Sequence, residues 1–293
     1  LEEAIKEAKL ALTLPGHEQL KDVDGKQITS KQYASLGTVN TLLANIYAWL
    51  GGLTREEKYW KEAEFYASEV IEGKAGFYDL ESIDGLIANV FGKARYSVET
   101  IFCIDNDPID NDRQHETNLR PEFPGQMLMS YPYTTTDESA ITSLAEDLWD
   151  DYTKIYVETV ENIYPDEKDG RRREFWLQLG ELTYPVTEWD DEAGDFVVVR
   201  REKSPCAHIA KWRDVIIQEN TQIVQDRPVI ATDGAWVVWR LADLILLRAE
   251  CRATLGLTTA VDDLDRVRAR AELSGYDGLT DQGSLRQEVF NER

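Results

Sequence analysis

The stretch Trp236-Val-Val-Trp-Arg-Leu-Ala-Asp-Leu-Ile-Leu-Leu-Arg-Ala-Glu-Cys-Arg-Ala-Thr-Leu-Gly256 decides the fold of this chain of 293 residues. Its apolar side chains recur every three or four residues, which is the spacing of one helical face. The positions on that face are Val238, Leu241, Ala242, Ile245, Ala249 and Ala253. Further leucines widen the stripe, so we expect a helix that is buried on most sides and ends at Gly256.

A second helix follows after a short loop. Thr259 and Asp262 have the spacing of a capping pair at its start. The apolar residues beyond them lie on one face, at Val261, Leu264, Val267 and Ala271. Two helices joined by so short a loop pack antiparallel. The stretch 236–273 therefore predicts a helical hairpin of the tetratricopeptide type.

Residues 30–73 predict another hairpin of this kind. A helix from about Ser30 to Leu50 ends at Gly51-Gly52, and Thr54 with Glu57 forms a capping box for the next helix. Residues 1–14 predict the end of an earlier helix. Because stacked hairpins bury one continuous core, the two copies predict a mainly α fold of tetratricopeptide-like helical hairpins.

The segment between the two hairpins has a different pattern. Residues 98–104 alternate and predict a short strand, whereas residues 105–140 show little periodicity. Phe175–Leu179 and Phe196–Arg200 predict two strands that flank a turn at Glu188–Gly194. Residues 214–234 predict a loop. The hairpins therefore carry a large irregular insertion with minor β structure.

Several of these pieces resemble one known family. Arg240-Leu-Ala-Asp-Leu-Ile-Leu-Leu-Arg-Ala-Glu250, Asp265-Arg-Val-Arg-Ala-Arg-Ala271, Asn291-Glu-Arg293 and the earlier Glu99-Thr-Ile-Phe102 follow the order of the SusD/RagB signature. The resemblance implies an internal fragment of one SusD-like domain, which lacks both ends. It divides residues 1–293 into a helical repeat part (1–104), a variable, loop-rich ligand-binding part (105–235) and a C-terminal helical hairpin (236–293).

The composition excludes some partners. Lys and Arg number 32 against 55 Asp and Glu, so the net charge is −23. So acidic a chain is repelled by nucleic acid and by anionic lipid surfaces. The three cysteines are far apart and have no metal-ligand spacing, and Cys251 is expected in the core.

No catalytic motif is present in the sequence. The three histidines (His17, His115 and His208) are isolated and are expected to be core or surface residues. The acidic run 105–112 departs from the calcium-loop pattern, because Ile109 stands where an oxygen ligand is needed. We therefore expect no metal and no cofactor. Acidic pairs are too common in this chain to indicate a glycosidase.

Aromatic residues outside the helices are the better candidates for ligand binding. Tyr131 and Tyr133 flank Pro132, and Trp176 and Trp189 lie in or beside the predicted β hairpin. Sugars bind to aromatic faces and to polar side chains, of which Asn118 and Arg120 are near in sequence. Packing in the core remains an alternative for Tyr131 and Tyr133 and is favoured for Trp176, whereas Trp189, among acids, favours exposure.

The resemblance implies a function. It implies a non-enzymatic oligosaccharide-binding subunit on the outward-facing surface of the outer membrane of Bacteroidetes, held by an N-terminal lipid anchor that is absent from this fragment. Its partner would be a SusC-like TonB-dependent transporter, which receives the ligand. Peptide capture within the same family is one alternative. A tetratricopeptide scaffold for protein partners is another, and a glycoside hydrolase is the third.

Overall fold

The computed structural model describes residues 1–94, 97–104, 131–132, 138, 141–142, 145, 154–217 and 229–293. The helices in these residues are α1 (Glu2–Leu10), α2 (Leu36–Thr54), α3 (Glu57–Ile71), α4 (Ile83–Gly85), α5 (Val157–Ile163), α6 (Gly170–Phe175), α7 (Leu241–Thr254), α8 (Ala260–Arg270) and α9 (Gln282–Glu292). The strands are β1 (Thr100–Ile104), β2 (Thr183–Asp190), β3 (Asp195–Lys203), β4 (Val215–Ile217), β5 (Val229–Thr232) and β6 (Trp236–Arg240). The predicted mainly α fold with minor β structure is confirmed.

The chain forms two compact units. The first, the helical unit, consists of Leu1–Val90, Ala94–Asp105 and Ala235–Arg293. The second, the insertion unit, consists of Phe91–Lys93 and Asn106–Gly234. None of the described helices has both the length and the apolar character needed to cross a bilayer. The division into three parts at residues 104 and 235 stays a prediction.

Helices α2 and α3 form the first hairpin of the helical unit. The hydroxyl of Ser35 accepts a hydrogen bond from the Thr38 N–H and caps α2, so this helix begins at Leu36 rather than at Ser30. The prediction that Gly51 ends the helix is wrong. A Cβ at Gly51 would lie 2.8 Å from the ring of Trp60, so this glycine lets α3 approach α2 closely. The helix ends at Thr54 and is followed by Arg55, whose φ is 61°.

Two predicted capping contacts are also wrong. Thr54 is the last residue of α2, and its hydroxyl donates to the Leu50 carbonyl at 2.8 Å, while α3 starts after Glu56 without a side-chain cap. Thr259 does occupy the position before α8, but its side chain makes no capping hydrogen bond. Packing rather than capping therefore fixes the start of both helices.

Helices α7 and α8 form the second hairpin, and α7 is buried on nearly all sides. Leu241, Ile245, Ala249 and Cys251 have no exposed surface. The predicted start of this helix is wrong, however, because residues 236–240 form strand β6. It pairs antiparallel with β1, placing Thr100 opposite Arg240 and Ile104 opposite Trp236. The strand predicted at residues 98–104 is confirmed.

A buried carboxylate joins these elements of the helical unit. Glu99 has no exposed surface, and its Oε1 accepts a hydrogen bond from Arg240 at 2.7 Å. Arg270 of α8 donates to Oε2 at 3.3 Å, and the N–H of Glu81 donates to the same oxygen at 2.9 Å. One side chain thus ties the start of β1 to β6, to α8 and to the loop before α4.

A second buried ion cluster joins three helices. Arg248 donates from Nε and Nη2 to the two oxygens of Asp263 at 2.9 and 2.5 Å. Arg252, one turn further along α7, donates to Asp263 at 3.0 Å and to Glu64 of α3 at 2.9 Å. Bidentate contacts of this kind are the stronger class of charged hydrogen bond. The two arginines of α7 therefore hold α8 and α3 in place.

Lys31 is a buried cation whose titration we expect to be visible in the stability of the protein. Its side chain lies over the ring of Tyr78, with Nζ 4.8 Å from the centroid, and burial lowers the pKa of Lys31 to about 8. Between pH 8 and 10.5 the folded chain binds fewer protons here than the unfolded chain, so this group makes stability rise with pH. Below pH 8 the cost of burying the charge is fully present.

We expect Lys31→Met to stabilise the protein at pH 7 by about 2 kcal/mol, since the loss of the contact with Tyr78 offsets part of a gain of about 3 kcal/mol. This advantage should vanish near pH 10.5. Denaturant unfolding of both proteins at several pH values measures it, and Lys26→Met, at an exposed position of the same loop, is the control. A difference that stays constant from pH 7 to 10.5 would contradict the assignment.

The insertion unit departs from prediction in its strands. Phe175 ends α6, and the partner of β3 is Thr183–Asp190, so the strand predicted at Phe175–Leu179 is wrong. Residues 215–217 and 229–232 pair as β4 and β5 in part of the segment predicted as a loop. The acidic run 105–112 lies outside the described residues.

Candidate functional site

The hairpin of β2 and β3 carries an exposed apolar surface. Its residues pair from Thr183 with Lys203 to Asp190 with Asp195, and one irregularity in the register lies near Val199. Residues 190–195 turn the chain, where Gly194 has a φ of 66° and its N–H donates to the Asp190 carbonyl at 2.8 Å. A two-stranded hairpin is only marginally stable alone. Its stability therefore depends on contacts at the end far from the turn, which we call the root.

The root of the hairpin is buried. Tyr184 and Leu182 pack with Ile141 in an apolar cluster, against which Tyr131 and Val186 pack in part. Arg201 also binds both carboxylate oxygens of Glu138, at 2.8 Å each. Since one end is fixed in this way, the other end of the hairpin can remain in solvent.

The two faces of the hairpin differ in chemistry. Successive side chains of a strand point to opposite faces, so Val186 and Glu188 share one face with Arg200 of the partner strand. Arg200 donates to Glu202 at 2.7 Å and to Glu188 at 3.4 Å, which makes this face a ladder of alternating charges. The opposite face is apolar near the turn, whereas Arg201 and Lys203 lie on it further from the turn. We call its apolar part the aromatic face, and it consists of Thr187, Trp189, Phe196 and Val198.

Trp189 and Phe196 are the centre of the aromatic face. They are directly opposite each other in the register, and their rings meet edge to face with centroids 5.4 Å apart. Trp189 is 56% exposed, Phe196 64% and Val198 59%. The indole Nε1 donates to Asp191 at 3.0 Å, which holds the ring in one orientation. Exposed apolar residues in a contiguous group mark a binding surface more often than scattered ones do.

Tyr131 does not join this surface. It packs against the cluster of Tyr184 and Val186, whose side chains point to the face opposite Trp189. Trp176 is half-buried and forms a β-bridge with Ile209, and its buried Nε1 has no hydrogen-bond partner among the described residues. Tyr133, Asn118 and Arg120 lie outside the described residues. Of the three predicted site residues that the structure describes, Trp189 is therefore the one that lies in an exposed aromatic group.

Phe196 and Val198 are candidate site residues that the sequence did not indicate. Both were assigned to a predicted strand, where one of two faces is normally covered. Their exposure follows from the register, which places Phe196 opposite Trp189. The sequence feature that could have indicated their exposure is the acidic stretch 188–195, which is too polar to be buried and therefore keeps its neighbours in solvent.

One arrangement in the insertion unit resembles a nucleophile with its base. The Nε2 of His208 lies 3.2 Å from the hydroxyl of Ser204. Both residues are only 4% exposed, however, and burial lowers the pKa of His208 to about 4. The Ser204 hydroxyl instead donates to the Cys206 carbonyl at 3.0 Å and accepts from the Cys206 N–H at 3.2 Å. These buried hydrogen bonds hold the chain at residues 204–208.

The described residues contain no group of three or more His, Cys, Asp or Glu side chains arranged to hold a metal ion. The three cysteines are free thiols and all are buried. The β2–β3 hairpin exposes apolar rings, carboxylates and the amide groups of its turn.

Comparison with solved structures finds proteins of the same fold. A SusD homologue from Bacteroides thetaiotaomicron superposes with a TM-score of 0.65 at 20% identity, covering 100% of this chain and 54% of the other. A SusD-like carbohydrate-binding protein from Bacteroides vulgatus gives 0.57 at 15% identity, covering 100% and 47%. Surface glycan-binding protein A from Bacteroides uniformis gives 0.56 at 15% identity, covering 99% and 53%.

These identities are low, so the superpositions establish the fold and not the ligand. The chain spans about half the length of these solved structures. Comparison of the sequence with curated proteins gives no significant match. The model of the SusD family matches residues 99–293, which is more than half of the chain and includes Glu99, Arg248 and Asp263. The chain therefore belongs to the SusD family.

Proposed function

We propose that this protein binds oligosaccharide through the aromatic face of the β2–β3 hairpin and does not transform it. The observation that carries the proposal is the pair of Trp189 and Phe196, whose rings are exposed and held in register by the strands. Sugar rings place their C–H groups on such faces, and their hydroxyls bind neighbouring carboxylates and amides. Family membership and the carbohydrate-binding names of two structural neighbours support this proposal.

The proposed setting is a nutrient-uptake system of the outer membrane. In it, the protein is a lipid-anchored subunit on the outward-facing surface, and a SusC-like TonB-dependent transporter receives the ligand. Moderate affinity suits this transfer, because a tightly held ligand dissociates slowly. A large surface of aromatic and hydroxyl contacts, rather than one buried charge pair, gives such an affinity. Peptide capture is the alternative, with an extended chain pairing along a hairpin edge.

Substitution of Trp189 tests the proposal. We expect Trp189→Ala to weaken the binding of a glycan selected on an array by at least about ten-fold, equivalent to about 1.4 kcal/mol. Titration calorimetry measures the change. The fold should persist, since the side chain is 56% exposed and its removal leaves no cavity. Trp49→Ala is the matched control, because Trp49 is 66% exposed on α2 of the helical unit.

The outcomes separate the alternatives. Loss of binding in Trp49→Ala but not in Trp189→Ala would place the site elsewhere. Retention of peptides and of no glycan would favour the alternative function. Release of new reducing ends from a bound glycan would show an enzyme. Tyr133, Asn118 and Arg120 stay predicted ligand residues, and their alanine variants belong in the same titration.

A further inference from the structure

Charge is distributed unevenly along the β2–β3 hairpin. Its basic side chains all lie near the root, at Arg200, Arg201 and Lys203, and each is paired with a carboxylate. The turn has the opposite character, because residues 190–195 include four acids and no base. No Lys or Arg in the described part of the chain forms an ion pair with any of these four, which are Asp190, Asp191, Glu192 and Asp195.

The acids of the turn retain hydrogen-bonding capacity. Asp190 uses one oxygen to accept from the N–H groups of Glu192 and Ala193, and Asp195 uses one to accept from the N–H of Phe196. Asp191 uses one oxygen for the indole N–H of Trp189. The other oxygen of each carboxylate has no such bond among the described residues. Asp190 and Asp195 pair on the face opposite Trp189, whereas Asp191 lies at the edge of the Trp189 ring, so a ligand on the aromatic face lies beside one carboxylate oxygen that accepts a further donor.

The indole adds to the preference for positive charge. Tryptophan has the strongest attraction for a cation over its face, and Asp191 lies at the edge of the same ring. An ammonium group over the ring face, on the side of this edge, gains from the ring and from the Asp191 carboxylate together. A neutral hydroxyl gains only ordinary hydrogen bonds, and an anionic group is repelled.

We propose that the aromatic face selects glycans with free amino groups, so that its ligand class is a cationic amino sugar oligomer. This inference rests on the proposed function, because it assigns the charge of the glycan that the same face binds. The charge complementarity of the turn identifies the occupant, and the exposed rings of Trp189 and Phe196 provide the surface on which the sugar lies.

Matched oligomers test the inference. The ligands are a β-1,4-linked glucosamine hexamer with free amino groups and its fully N-acetylated counterpart, titrated at pH 5.5 in low and high salt. We expect the free-amine hexamer to bind about ten-fold more tightly at low salt, and the preference to shrink at high salt because exposed charges are screened. An oligogalacturonate of equal length should not bind.

Two charge variants show which carboxylates cause the preference for the free-amine hexamer. Asp191→Asn/Glu192→Gln/Asp195→Asn keeps the carbonyl oxygens that accept within the turn but removes three charges. We expect its preference to fall below about two-fold, because the affinity for the free-amine hexamer should fall more than the affinity for the acetylated one. The control is Glu2→Gln/Glu3→Gln/Glu7→Gln, which removes three charges from exposed positions of α1 and should keep the preference.

The inference and the proposed function fail in different ways. Equal binding of both hexamers, or tighter binding of the acetylated one, would overturn the cationic preference and leave glycan binding intact. A preference that survives in the turn variant, or one that the α1 variant loses equally, would also overturn it, because the cause would then be the overall charge. Failure of every glycan on a broad array would overturn the proposed function itself.

Discussion

Replacement of Glu99 by glutamine is expected to lower the free energy of unfolding by about 3–5 kcal/mol, which is the usual cost of removing one partner from a buried ion cluster. The side chain has no exposed surface and faces the guanidinium groups of Arg240 and Arg270. Glutamine keeps the size but not the charge that offsets them. Urea unfolding followed by circular dichroism at 222 nm measures the loss, because the long helices lie in the helical unit.

Glu57→Gln provides the comparison for Glu99→Gln. Glu57 pairs with Lys61 at 3.3 Å on the surface of α3, where both side chains are exposed, so we expect a change below about 1 kcal/mol. A double-mutant cycle of Glu99→Gln with Arg270→Met should be strongly non-additive, since the two side chains share one cluster. Additive losses, or a loss as small as that of Glu57→Gln, would rule out the proposed role of Glu99.

Asp263→Ala is expected to cost a similar amount, about 3–5 kcal/mol. Its side chain is 3% exposed and accepts three hydrogen bonds from Arg248 and Arg252. Without it, Arg248, which is 9% exposed, loses the carboxylate that compensates its charge. The same denaturation experiment detects the change, and the packing of α8 on α7 should weaken first.

The neighbouring residue supplies the control for Asp263→Ala. Asp262 lies in the first turn of the same helix but is exposed, so Asp262→Ala should lose only the favourable interaction with the helix N-terminus, about 0.3–1 kcal/mol. Equal effects of the two substitutions would mean that the helix dipole, and not the buried arginine contact, explains the requirement for an acid at residue 263.

The two helical hairpins were predictable because their signal is local. The spacing of Leu241, Ile245 and Ala249 requires only that one helical face be buried, and the structure buries it. The strand at residues 236–240 was not predictable in this way. Its partner β1 lies more than a hundred residues earlier, and an apolar run of five residues has no period that separates strand from helix.

Gly51 shows a second limit of local reasoning. Glycine commonly follows the last turn of a helix, which is why it predicted an end there. In the structure it is an interior residue, and the space left by its missing side chain is filled by Trp60. Its role depends on a contact between two helices, and the spacing of residues within one helix gives no information about that contact. Thr54 was misinterpreted for the same reason.

The candidate site was predictable only in part. Acidic neighbours indicated that Trp189 is exposed, and it is. The contribution of Phe196 depends on its pairing with β2, and the sequence pattern placed the partner strand at Phe175–Leu179 instead, because β2 contains Pro185 and several polar residues. The packing of Tyr131 under the hairpin required the tertiary structure, since the apolar side chains around it come from residues 141, 182 and 184.

The pairing of β1 with β6 has a consequence for how the sequence of the protein can evolve. It brings Glu99 and Arg240 together although 141 positions separate them in sequence. The entropic cost of closing such a segment grows only with the logarithm of its length, so doubling it adds about 0.6 kcal/mol. Insertions and deletions between these two strands are therefore nearly neutral for the helical unit. A new specificity can arise there without any change in the residues that hold the helices together.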